Sequence, residues 1–247
     1  KPMVVIGESA LELQTGKYIF EEVKNYLMTN NFINEEWNGL NILVQNASTV
    51  GLLDLKMLSQ NNDNNFIFFD KLKSNKFKFL YLLGSDNLEF KKNNEFIVYQ
   101  GSHGDKGAEI ADVILPSAAY TEQNGLYSNL EGRIQECKKA SYPIGDSLED
   151  WKIFNLILKS LEKINDLNNF ETLRKEVINS AINFSQINNL PNKLINKNNK
   201  INSEFFNEEV LIKKLDYYYT NSISRASKTM SECRQINEKL PMTGTNN

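Results

Sequence analysis

The 247-residue sequence contains one histidine, His103, and two cysteines, Cys137 and Cys233. A lone histidine excludes a multi-histidine metal site and any nucleophile arrangement that needs a second histidine. The cysteines lie far apart without a CxxC spacing, so they form no disulfide framework and hold no four-cysteine iron–sulfur cluster by themselves. Such usage fits a reducing compartment, and each cysteine is expected to behave as a small buried hydrophobe. No apolar run approaches the roughly 20 residues that cross a bilayer as a helix. The longer runs, such as FLYLL from Phe79, suit buried strands. Excess charge is also lacking: the formal net charge is -3 and the pI near 5.5, with basic residues scattered among acidic ones. That balance disfavours nucleic-acid binding and direct attraction to anionic lipid. No internal repeat or long heptad run is present.

What remains is a chain that is 40% hydrophobic, enough to bury a core as one large or two smaller domains. Met3 to Ile6 reads as a buried strand ended by Gly7. Gly16 to Leu27 places Ile19, Phe20, Val23 and Leu27 on one helical face. From Glu35, the residues Trp37, Leu40, Leu43, Val44 and Ala47 follow a helical period and predict a helix, although NILV alone also suits a strand. Lys78 to Leu83, Phe96 to Tyr99 and Val113 to Leu115 read as further strands, with a helical turn at Ala108 to Ala111. Strands separated by helical segments predict an α/β fold with a mostly parallel sheet flanked by helices. Past Pro143 the texture turns helical: Leu148 to Leu161 aligns Trp151, Phe154, Leu158 and Leu161, and Glu171 to Phe184 repeats the pattern less cleanly. The expected division is an α/β domain over 1–147 and a helical flank with a C-terminal extension over 148–247. Asn61 to Asn65, Asn93 and Asn94 read as loops, and Asn188 to Asn202 as a surface excursion of variable order.

The most specific stretch runs from Tyr99 to Gln135, YQGSHGDKGAEIADVILPSAAYTEQNGLYSNLEGRIQ. Gly101, Gly104 and Gly107 break the backbone after a strand, in a loop of the kind whose amides and helix terminus hold anions at the carboxyl ends of parallel strands. The spacing GSHGDKG is not the dinucleotide fingerprint, and a tight packing connection is the preferred reading. Asp105 is expected to cap a helix, Asp112 to start a strand, and His103 to serve the loop. Arg133 is expected to pair with Glu131 and fix a polar turn. Ser222, Ser224, Arg225 and Ser227 suit either a short recognition tail or a helix cap at Ser227.

The run AEIADVILPSAAYTEQNGLYSNLEGRIQ resembles the molybdopterin-dependent oxidoreductases, in which an ADVVLP-like strand precedes an acidic residue, a turn with Gly, an aromatic and Asn, and an EGR tripeptide. With the upstream YQGSHGDKG the resemblance narrows to the 75 kDa iron–sulfur subunits of respiratory complex I. KPMVVIGESAL, WNGLNILVQNASTVGLLDL from Trp37, EDWKI from Glu149 and YYTNSISRASKTMSEC from Tyr218 agree with it. The resemblance implies a molybdopterin-oxidoreductase-like fold that has lost its cofactor, with the Gly101–Gly107 loop as inherited scaffold.

It further implies no catalytic, cofactor-binding or metal-binding residue on this chain. The iron–sulfur clusters are expected on an upstream portion of the subunit or on a separate chain. Implied partners are other subunits of the complex I peripheral arm, including the cluster-binding amino-terminal half of the same subunit. The implied location is the matrix side of the mitochondrial inner membrane. The amino end, Lys1 and Pro2 before MVVIG, lacks the character of an organelle presequence and is expected to be processed, trimmed or continued upstream. Heavy use of Asn, Lys, Ile, Phe and Tyr, which share AT-rich codons, agrees with an organellar gene. Two other classes stay open on the residues: an active molybdopterin domain in which the Gly101 loop and Arg133 cradle a pterin dinucleotide, and a stand-alone interaction module.

Overall fold

A computed structural model describes residues 1–57, 70–88, 90–163, 167, 169–181, 187–191, 201–209 and 216–239. Asn61 to Asn65, most of Asn188 to Asn202 and the end of the predicted Glu171 to Phe184 helix fall outside the described residues. The chain forms two compact units, each assembled from separated stretches: 1–61, 125–137 and 166–212 in the first, and 62–124, 138–165 and 213–247 in the second. The division expected after residue 147 follows sequence texture, whereas these units follow spatial proximity.

In the first unit β1 (Val4–Gly7) runs parallel to β2 (Leu40–Leu43), pairing Val4 with Leu40 and Ile6 with Ile42. Between them lie α1 (Glu8–Leu11) and α2 (Gly16–Thr29), and α3 (Thr49–Asp54) follows β2. In helix α2 Leu27 is only 1% exposed, whereas Ile19, Phe20 and Val23, expected to share its face, are half-buried. Burying one such leucine contributes about 1.5–3 kcal/mol.

The helix predicted around Trp37 to Ala47 is instead a turn followed by strand β2. Asn34 Oδ1 accepts hydrogen bonds from the amides of Glu36 and Trp37, each at 2.9 Å, and Asn38 Oδ1 accepts from the Leu40 amide at 3.1 Å. The Trp37 indole N–H donates to the Pro2 carbonyl at 2.8 Å, and the Val4 amide donates to the Gly39 carbonyl at 2.8 Å. Asparagine side chains thus capture amides that a helix would use, and pairing with β1 decides between two readings of a short apolar run.

The second unit is built on the parallel sheet β3 (Phe79–Leu83), β4 (Phe96–Gly101) and β5 (Val113–Pro116), with β4 central. Its core is Leu72, Leu80, Leu82, Ile97 and Tyr99, covered by Phe77, Leu88, Phe90, Ala108, Ile110 and Ala111. A four-residue helix, α4 (Lys106–Glu109), begins two residues earlier than its predicted turn. The hairpin β6 (Gly125–Ser128) and β7 (Ile134–Cys137) belongs to the first unit and is antiparallel, an element that sequence reading treated only as a turn.

Helix α5 (Asp150–Ser160) matches its predicted span, but Ile153 is its buried residue and Leu161 lies 63% exposed just beyond it. The next helices are α6 (Phe170–Ser180) in the first unit and α7 (Ser222–Ala226) and α8 (Lys228–Lys239) in the second. Parallel pairing with helical connections makes the fold α/β, and no described helix is long and apolar enough to cross a membrane.

Candidate functional site

The carboxyl ends of β3, β4 and β5 open onto the loop from Gly101 to Gly107. Tyr99, on central strand β4 and 1% exposed, sends its phenol up into this loop. The hydroxyl donates, lying 2.5 Å from Asp86 Oδ1 and 2.7 Å from the His103 carbonyl oxygen. Burial and the Asp86 carboxylate together raise its pKa above the ordinary tyrosine value, so it stays a neutral donor.

Helix α4 offers its first amides to acceptors of the protein itself. Lys106 N donates to Asp105 Oδ1 at 2.8 Å, Gly107 N to the Asp86 carbonyl at 2.9 Å, and Ala108 N to the Asp105 carbonyl at 2.8 Å. Gly107 is where loop and β3 end touch: a Cβ there would stand 2.6 Å from the Ser85 carbonyl oxygen. Asp105 therefore caps the helix, as expected, and Asp112 does start a strand. Its Oδ2 accepts from the Ile97 amide at 2.8 Å and its Oδ1 pairs with Lys92 at 2.5 Å.

Arg225, in the last turn of α7, completes the cluster. Its Nε donates to Asp105 Oδ2, its Nη2 lies 3.8 Å from Asp86 Oδ2, and its Nη1 donates to the Tyr219 carbonyl at 3.4 Å. Burial opposes ionisation of Asp105, but the Arg225 hydrogen bond and charge, with the Lys106 amide, outweigh it and hold the pKa below the ordinary aspartate value. Two carboxylates, a phenol and one guanidinium thus fill the space above the strand ends. This is a seat for a cation, already taken, and its amide donors are spent.

A second polar network lies beside β4. Gln100, fully buried, donates through Nε2 to Asp150 Oδ1 at 2.6 Å and accepts at Oε1 from the Tyr81 hydroxyl. Gln123 Nε2 donates to Asp150 Oδ2 at 2.9 Å. Glu149, 5% exposed, accepts from the Trp151 indole at 2.9 Å and meets Lys139 at 3.3 Å and Lys152 at 3.4 Å. These contacts fasten α5 to the sheet and satisfy each buried polar group, which is the arrangement of structural polar residues.

The Arg133–Glu131 pair exists, at 3.9 Å and with both side chains well exposed. It does not fix the turn. Asn129 does: its Oδ1 accepts from the amides of Glu131 and Arg133 at 3.0 Å each, and its own amide donates to the Arg133 carbonyl at 3.0 Å. Ser227 Oγ accepts from Met230 N at 3.4 Å and caps α8, while Asn221 and Ser224 form a reciprocal capping box on α7. Ser224 and Ser227 thus serve helix capping. Cys233 is exposed on α8, against the expectation of burial, and Cys137 is half-buried in β7. Among the described residues no group of three His, Cys, Asp or Glu side chains is arranged to hold a metal ion.

Sequence reading missed Asp86 and the pairing of Arg225 with Asp105. Those two positions lie 120 residues apart, and no local pattern links them.

Residues 1–160 match the family profile Molybdopterin oxidoreductase, and residues 183–233 match the C-terminal profile of the NADH-ubiquinone oxidoreductase G subunit. The chain is 38% identical over 239 residues to the NADH-ubiquinone oxidoreductase 75 kDa subunit of Reclinomonas americana, covering 96% of this chain and 34% of that protein. It is 36% identical over 248 residues to the mitochondrial NADH-ubiquinone oxidoreductase 78 kDa subunit of Candida albicans, covering 94% of this chain and 33% of that protein. With the NADH-quinone oxidoreductase G subunit of Rickettsia felis the identity is 34% over 239 residues, covering 96% and 34%. The chain spans about a third of the length of these curated relatives.

Proposed function

The chain belongs to the molybdopterin oxidoreductase family, and from that premise we propose that it serves as the noncatalytic carboxyl-terminal portion of a complex I 75 kDa subunit. In this reading it supports the peripheral arm through which electrons pass from NADH by way of iron–sulfur clusters to ubiquinone, on the matrix side of the mitochondrial inner membrane. Its partners are other peripheral-arm subunits and the cluster-binding amino-terminal half of the same subunit. The clusters themselves reside on that half, whether fused or separate.

The observation that carries the noncatalytic part is the chemistry above the strand ends. A pterin dinucleotide carries a diphosphate, which needs free amide donors and unpaired cations. The residues present do not fit it: the α4 amides are bonded to Asp105 and Asp86, both carboxylates repel an anion, and Arg225 is neutralised by them. The names of the relatives support membership of complex I, and the match over residues 183–233 supports the same subunit.

The test is to tag the native chain and purify what it holds. Co-purification with a membrane-bound, NADH-oxidising complex is the expected result, with molybdenum, tungsten and pterin all far below one per chain. Stoichiometric metal and pterin would establish an active molybdopterin domain instead. Purification away from any NADH-oxidising complex would establish a stand-alone module.

A further inference from the structure

We propose that the segment carrying α7 and α8 is a built-in plug, in which Arg225 seats on Asp86 and Asp105 and locks the loop at the carboxyl ends of the strands. The segment is prepared for this. Arg234 Nε donates to Asp216 Oδ2 at 2.6 Å, and its guanidinium lies 5.0 Å from the centre of the Tyr219 ring. That brace orders the stretch whose Tyr219 carbonyl accepts from Arg225 Nη1. The capping box of Asn221 and Ser224 sets the start of α7, so that Arg225 leaves its last turn facing Asp105. A planar guanidinium spans two carboxylates and a carbonyl at once, which an ammonium does not.

The two ends of the contact come from differently matched parts of the chain. Asp86, Tyr99 and Asp105 lie in the stretch that matches the molybdopterin oxidoreductase profile, and Arg225 in the stretch that matches the NADH-ubiquinone oxidoreductase C-terminal profile. The added segment supplies the cation, and the loop supplies the carboxylates that hold it. The plug therefore converts a position open to ligands in parallel sheets into an internal joint. Each half needs the other: with Arg225 gone, Asp86 and Asp105 face each other across a half-buried space, and the Asp105 carboxylate that accepts from the Lys106 amide loses its counter-charge.

The experiment uses the full chain and reads amide hydrogen exchange at Lys106, whose donor ends on the Asp105 carboxylate, and at Gly107, whose donor ends on the Asp86 backbone carbonyl. Arg225→Met is expected to speed exchange at both amides by about tenfold or more. Adding methylguanidinium is expected to restore much of the protection, whereas methylammonium is not. The wild-type chain is expected to show no protection by inorganic pyrophosphate. If Arg225→Met proves too unstable, Asp105→Asn keeps the side-chain shape and is expected to speed exchange in the same direction. Unchanged exchange in either variant, or pyrophosphate protection of the loop amides in the wild type, overturns the proposal. Loop opening is read on the chain alone and complex membership by co-purification, so either reading can fail without the other.

Discussion

Single residues separate groups that hold the structure from groups that decorate it. Glu149 is almost fully enclosed, and burial alone would favour its neutral form. The Trp151 indole, Lys139 and Lys152 reverse that and hold its pKa below the ordinary glutamate value. A carboxylate depressed in this way contributes stability that is fully present above its unfolded pKa and is lost as pH falls through its native pKa. Glu149→Gln should therefore lower stability at neutral pH by about 1–3 kcal/mol and flatten the acid limb of the urea midpoint against pH. An unchanged acid limb would show that Glu149 contributes nothing there. At the β6–β7 turn the ranking runs against intuition from charge. Arg133→Met should cost no more than about 0.5 kcal/mol, since exposed pairs contribute little. Asn129→Ala removes the acceptor for two amides and should cost about 1–2 kcal/mol, measurable by denaturant titration of both variants.

At the scale of elements, the residues that break the backbone were legible and the long-range partners were not. Gly101, Gly104 and Gly107 marked the loop because their chemistry is local, and the strands around them fell where apolar runs met glycine or Pro116. Asp105 as a helix cap was equally local. Arg225 was visible only as part of a serine-rich tail, because a contact across 120 residues leaves no periodic trace. The segment after Trp37 shows the opposite failure, where a helical period was present but Asn34, Asn38 and strand β1 claimed the backbone. Gly107→Ala tests the loop as an element. Its Cβ would press to 2.6 Å from the Ser85 carbonyl and 3.2 Å from the Tyr99 ring, so α4 or the end of β3 must shift. The expected cost is about 1–3 kcal/mol, with a lower thermal midpoint. An unaltered midpoint would mean that the loop is looser than its packing.

At the scale of the whole molecule, several large apolar side chains stand exposed among the described residues. Phe79 and Phe96 stack with ring centres 6.4 Å apart while remaining about half exposed, and Tyr142 and Ile144 are 76% and 80% exposed. In the proposed assembly these side chains are covered by partner subunits. Produced alone, the chain should bind a hydrophobic dye such as ANS and self-associate in light scattering. Produced with the other peripheral-arm subunits, it should do neither. A dye-silent monomer would argue for the stand-alone module.

Because each compact unit draws on three separated stretches, the polypeptide passes between the units five times. A ribosome releasing this chain cannot complete the first unit and then begin the second, since residues beyond 166 are still missing when residue 61 emerges. Both halves must mature together, late in synthesis. For the same reason a protease nick at one crossing should leave the fragments held by their neighbours, whereas splitting the gene into one piece per unit would require severing every crossing.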